Sequence, residues 1–156
     1  MIFFIKANKD FYIELLKEAE KLDINVCLEN MPFPKHPIKT AKDIQNFVNE
    51  LNHPNLKICF DTGHSVVCGE DPIEALKSLD DKLVCVHIHD NDGVTDRHWP
   101  PFTSWGKTDW ELFKQSFKKY HPDIPLSLEC VYSKHPLEIR DHFQIGLAKV
   151  AKYLAE

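Results

Sequence analysis

Short apolar runs and longer stretches with helical spacing alternate along this chain, and their order predicts its architecture. Residues 3–22 place Ile5, Phe11 or Tyr12, Leu15, Leu16, Ala19 and Leu22 on one face of a helix, with lysines and glutamates between them. A strand over 23–30 follows, then a loop in which Pro32, Pro34 and Pro37 stop both neighbours from continuing. Thr40 and Asp43 have the spacing of a capping box, opening a helix that buries Ile44, Phe47, Val48 and Leu51. The plan repeats with a strand over Leu56–Asp61 and a helix introduced by Asp71-Pro72-Ile73-Glu74, an N-cap, a first-turn proline and an N3 carboxylate. A third strand spans 82–89. After a long polar and aromatic loop, Thr108 and Glu111 open a helix holding Leu112, Phe113 and Phe117. A fourth strand over 124–129 and a closing helix over 136–154, with Leu137, Phe143, Leu147, Val150 and Leu154 inside, complete the pattern.

Strands alternating with helices at this spacing predict an α/β fold with a parallel sheet whose C-terminal strand ends share one edge. Along each strand, residues two apart share a face. Cys27, Cys59, Cys85 and Ser127 are therefore expected beneath Glu29, Asp61, His87 and Glu129. Val26 and Leu28, Ile58 and Phe60, Val84 and Val86, Leu126 and Leu128 are expected to face covering helices. Four strand–helix units are half of an eight-stranded β/α barrel, so residues 1–156 are expected to form one domain, a parallel half-barrel of TIM type. Its two terminal strands would present open edges. The half-barrel is thus expected to be truncated or completed, either by a partner chain or by a homo-oligomer.

Composition narrows the function classes. With 43% hydrophobic and 28% charged residues the chain has the profile of a soluble globular domain. It has no apolar run of membrane-spanning length, and residues 1–5 are too short an apolar segment for a signal peptide, so a cytoplasmic location is expected. The net charge of −5 disfavours a protein that must neutralise nucleic-acid phosphates. Five cysteines, three of them at interior strand positions, read as buried thiols rather than a disulfide framework.

The chemistry sits where the strands end. Glu29, Asp61, His87 and Glu129 offer three carboxylates and an imidazole, a mixed O/N donor set suited to Mn²⁺, Mg²⁺, Co²⁺ or Zn²⁺. Either a shared divalent metal site or four separate caps and ion pairs would account for them, and their recurrence on consecutive strands favours the shared site. His64, three residues past Asp61, and Asp96 with His98 are candidates for a second metal. Asp90 is placed to hold an imidazole in its tautomer. Asn91 and Asp92 read as a solvated loop with Asx turns beside Gly93. His89 shares the parity of His87 and so either lines the same mouth or stands on its rim. Trp99 and Trp105 are candidates to line a substrate pocket, whereas Trp110 is expected to pack.

Val26-Cys27-Leu28-Glu29-Asn30-Met31-Pro32, Phe60-Asp61-Thr62-Gly63-His64, the His87-to-His98 run, Gly106-Lys107-Thr108-Asp109-Trp110 and Leu126-Ser127-Leu128-Glu129 resemble the xylose isomerase-like TIM barrels. That superfamily holds sugar phosphate isomerases and epimerases and the endonuclease IV type of AP endonuclease. The resemblance is to strands five to eight, the C-terminal half. It implies that Glu29, Asp61, His87 and Glu129 hold the metal of the isomerase branch, with Glu29 and Glu129 as the acid/base pair acting on a small sugar or sugar phosphate. In the endonuclease branch the same four with His64, Asp96 and His98 would join a three-zinc cluster, but two histidines from earlier strands have no counterpart here. A half-barrel without a complete site is the third expectation.

Overall fold

The computed structural model describes residues 2–130 and 136–156. Its elements are α1 (Ile2–Lys21), β1 (Val26–Glu29), α2 (Ala41–Leu51), β2 (Leu56–Asp61), α3 (Thr62–Val67), α4 (Pro72–Ser78), β3 (Leu83–Ile88), α5 (Trp110–Tyr120), β4 (Leu126–Leu128) and α6 (Leu137–Ala155). The strands form one parallel sheet in the order β1-β2-β3-β4, as expected for half of a β/α barrel. Within it β1 and β4 are each paired on one side only. Among the described residues no helix is long and apolar enough to cross a membrane.

The core lies between the sheet and its helices. Leu28, Ile58, Phe60, Val86 and Ile88 point outward from the strands and pack with Ile44, Phe47 and Val48 of α2, Ile73 and Leu76 of α4, and Phe113 and Phe117 of α5. The expected outward set fails at one place. The β2–β3 ladder runs Ile58↔Leu83 and then Cys59↔Cys85, leaving Val84 as an extra residue on β3. This bulge makes Leu83, not Val84, the buried partner of Ile58, and it restores the alternation that turns Cys85 and His87 inward.

The caps follow the sequence closely. Thr40 and Asp43 form a reciprocal capping box on α2, whose first free N–H, on Ala41, is also met by the Glu70 carboxylate at 3.1 Å. Asp71 caps α4 ahead of Pro72. At α5 the cap is Asp109, which accepts from Leu112 N at 3.0 Å, so the helix starts at Trp110 and Leu112 faces solvent rather than the core. Among the described side chains of α1, Leu16 and Ala19 are the fully buried ones. Tyr12 packs edge-on against Phe47, while Phe11 and Leu22 are exposed, because α1 meets the rest of the molecule along a narrow stripe. On α6 only Leu154 is fully buried, and Leu137 and Phe143 are exposed.

Among the described residues the Thr40 side chain bonds to Asp43 alone, so Thr40→Ala isolates the cap. We expect a loss of about 1 kcal/mol, measured as a lowered urea midpoint with an unchanged slope.

Candidate metal centre

Parallel register and inward alternation bring the four strand-end groups together. Glu29, Asp61 and His87 close β1, β2 and the inward face of β3, and Glu129 directly follows β4, its N–H donating to the Ile88 carbonyl at 3.2 Å. The strands are staggered: Asp61 lies level with His87, whereas Glu29 lies level with Cys59. The thiols therefore do not form the single even layer expected beneath the acids. The stagger lets side chains from different levels converge, and one donor atom from each of Glu29, Asp61, His87 and Glu129 falls within 4.8 Å of the others. His87 is central. Its Nδ1 lies 3.0 Å from Glu129 Oε2, 3.3 Å from Glu29 Oε1 and 4.0 Å from Asp61 Oδ2.

Burial separates the acids. Asp61 has no exposed side-chain surface, whereas Glu29 and Glu129 are 30% and 46% exposed. Asp61 is held on every side. One oxygen accepts from His64 N at 2.7 Å, capping the short helix α3, and the carboxylate takes the Nε2–H of His89 at 2.9 Å. Burial works against its charge, but the His89 bond, the nearby imidazoles and the His64 amide outweigh it and hold the carboxyl below its usual range. The hydrogen bond that His87 donates to Glu29, with the charges of Glu29, Glu129 and Asp61, outweighs desolvation and raises the His87 pKa to about 9.

A second cluster abuts the first. His64, His89, Asp96 and His98 also place one donor atom each within 4.8 Å. His64 Nδ1 lies 2.7 Å from the Asn30 carbonyl and His98 Nδ1 lies 2.7 Å from the Glu129 carbonyl. A carbonyl only accepts, so each Nδ1 carries a hydrogen, and each Nε2 faces Asp96 Oδ2, at 3.3 Å and 3.0 Å. Two nitrogens and a carboxylate oxygen converging in this way call for a cation or for protons. His98 leans towards the charged form: burial opposes it, but the Glu129 carbonyl and Asp96 prevail and raise its pKa.

Several residues differ from their expected places. His89 does not line the mouth; it is wholly buried, stacked 4.0 Å from His98, with Nδ1 lacking a hydrogen-bond partner. The register carries it one turn of the pleat past His87, under the loop that folds back over it. Asp90 orients no imidazole. Its carboxylate takes the N–H of Asn91 and Lys107 at 2.9 Å and the indole Nε1–H of Trp110 at 2.7 Å, which ties both ends of the β3–α5 loop together. Gly106 permits this, since a β-carbon there would lie 1.8 Å from Asp90 Oδ2. Asp92 does make the expected Asx turn, accepting from Val94 and Thr95 N at 2.8 Å. Asn91, however, is buried and accepts from the backbone N–H of Arg97 and His98, shaping the D-x-H segment. Trp99 and Trp105 stand 6.1 Å apart, with Trp105 73% exposed, and the Trp99 carbonyl accepts from Cys130 beside Glu129. Trp110 packs, as expected.

Asn30 carries a role the sequence reading missed. Wholly buried, it accepts from Asp61 N at 2.7 Å and donates to Asp61 O at 3.0 Å, so that its amide extends the β1–β2 ladder by one rung. An asparagine directly after a strand-end acid, followed by Met-Pro, is the signal that could have pointed to it.

Residues 10–150 match the family described as xylose isomerase-like TIM barrel. The chain belongs to that family. Among xylose isomerase-like relatives, the inosose isomerase of Bacillus subtilis is 29% identical over 103 residues, 61% of this chain and 37% of that protein. Among solved structures, a D-psicose 3-epimerase with D-tagatose from Clostridium cellulolyticum H10 superposes with a TM-score of 0.79 at 16% identity, covering 97% of this chain and 56% of that one. The IOLI protein with a bound zinc atom gives a TM-score of 0.76 at 24% identity, again covering 97% and 56%. The chain thus spans little more than half the length of these solved barrels and about a third of the curated relatives.

The first cluster fits a divalent ion. First-row metal–ligand bonds of roughly 2.0–2.2 Å require donor atoms no more than about 4.4 Å apart, close to the spread found here. At neutral pH His87 carries a proton that a metal must displace. We expect binding of Mn²⁺ or Zn²⁺ at pH 7 to release about one proton, seen as buffer-dependent heats in calorimetry, and affinity to rise with pH before levelling near 9. Binding heats independent of buffer would overturn this. Without metal, the linkage has the opposite sense: stabilisation from protonated His87 is complete below 6.5 and fades as pH rises through about 9. Gly63 is pressed against His89, where a β-carbon would lie 2.1 Å from the ring. We expect Gly63→Ala to displace His89 from Asp61 and weaken metal affinity by about 10–100-fold, by the same calorimetry, while circular dichroism stays native.

Proposed function

We propose that this chain carries the catalytic half of a divalent-metal-dependent sugar isomerase or epimerase, moving a proton on the carbon beside a carbonyl. The observation that supports this reading is the contrast within the cluster: a buried, clamped Asp61 beside two partly exposed glutamates on either side of His87. Asp61 and His87 would hold the ion together with Glu29 and Glu129. When bound, a divalent ion supplies Lewis-acid polarisation of the sugar's carbonyl and hydroxyl oxygens.

The residues do the rest. Glu29 and Glu129 approach from the first and last strands, so one carboxylate can remove the proton while the other delivers one to the opposite side. Their exposure lets substrate reach them, and Asp61 stays out of proton exchange because its oxygens are already committed to His89 and His64. Trp99 and Trp105 offer apolar faces for a small sugar or sugar phosphate at the loop above Glu129. The exposed edges of β1 and β4 fit a barrel completed by another four-stranded half, whether from a partner or a second copy.

A second reading, zinc-cluster phosphodiester hydrolysis at abasic DNA, is favoured by the convergence of His64, Asp96 and His98. The two differ in metal stoichiometry. One ion per chain on saturation, by mass spectrometry of the native protein, fits the isomerase reading and several ions fit the cluster.

With the completed barrel and a panel of ketoses, Glu29→Gln and Glu129→Gln should each lower kcat by about 10²–10⁴-fold, with exchange of the substrate carbon-bound proton into deuterium oxide as readout. Retention of full exchange by both variants would sink the assignment.

A further inference from the structure

Beneath the oxygen-rich centre lies a cluster of sulfur that the isomerase chemistry does not use. Cys59 and Cys85 are direct partners across the β2–β3 ladder, brought level by the Val84 bulge. Cys27 on β1 lies level with Lys57, two residues below Cys59. One nitrogen of His87 and the sulfurs of Cys59 and Cys85 all lie within 4.8 Å of one another. Of these thiols only Cys59 has the burial expected of it. Cys85 is half-buried and Cys27 is exposed, because the inward face of the sheet is open in this chain.

We propose that Cys59 and Cys85, with His87, form a site for a thiophilic divalent ion of the zinc class. Two thiolates and an imidazole match the Cys₂His set of three-ligand zinc sites, with the fourth tetrahedral position left to water, and separations of this order suit sulfur–metal bonds of about 2.3 Å. Each thiol gives its proton to solvent as its sulfur–metal bond forms. His87 belongs to both centres. A soft ion settling among the sulfurs takes the imidazole from the carboxylate site, so the protein sorts metals by softness: oxygen-seeking ions above, sulfur-seeking ions below. This assignment does not depend on the isomerase reading.

The test is titration of the reduced full chain with Cd²⁺, following the ultraviolet sulfur-to-cadmium charge-transfer band, which oxygen and nitrogen ligands do not produce. The site predicts a band saturating at about one equivalent, unaffected by a large excess of Mg²⁺. Cys59→Ser and Cys85→Ser should lose it, Cys68→Ser should keep it, and His87→Gln should keep the band at weaker affinity. No band at stoichiometric cadmium, or a band that survives both Cys59→Ser and Cys85→Ser, overturns the site; unchanged affinity in His87→Gln removes the imidazole from it. Should the serine variants fail to fold, peptide mapping of maleimide labelling on the wild-type protein decides instead. Cadmium must slow labelling of Cys85 but not of Cys68, and equal labelling of Cys85 with and without the ion refutes the proposal.

Discussion

The buried carboxylate of Asp61 is the constraint from which the rest of the site follows. A charge without solvent is tolerated only when its lone pairs are met, and here a helix N-terminus and an imidazole meet them. Each partner brings its own dependants. The amide that caps α3 belongs to His64, whose ring is then delivered to the Asn30 carbonyl. The imidazole that clamps the other oxygen is His89, whose stacking on His98 draws the long loop back over the strand ends. Remove the charge at Asp61 and two histidines, one helix start and one loop lose their common reference.

That loop has a separate anchor. Asp90 gathers donors from both of its ends, and Asn91 fixes the backbone that presents Asp96 and His98. Neither residue reaches the four-ligand cluster. Both spend buried polar capacity on backbone N–H groups that a loop of this length would otherwise leave unpaired. His98 also adopts a left-handed backbone, with φ of +52°, a conformation that costs a non-glycine residue energy and that the surrounding bonds hold in place.

The parts of this architecture that were legible in the sequence are those set by local rules. Strand parity other than at Val84, caps at Thr40 and Asp71, and acids at strand ends depend on neighbours within four residues, and they read out correctly. The short α3 was invisible because six residues rich in Gly, Ser, Thr and Val carry no helical period; it exists because Asp61 caps it and strand β2 delivers it. His89 looked like a rim residue for a similar reason. Parity gives its face, but its burial depends on a loop folding back from ten residues away. Asn30 bonds to backbone atoms of a strand thirty residues downstream, and no local pattern announces such a pairing.

The extra residue at Val84 has a meaning beyond packing. Ahead of it, β3 faces the helices at Leu83; after it, the parity is reversed, and only then does the imidazole of His87 point among the acids. The centre is therefore specified by counting as well as by chemistry. The same residues paired without a bulge would put Val84 opposite Cys59, show His87 to the hydrophobic layer and offer valine and isoleucine to the ion.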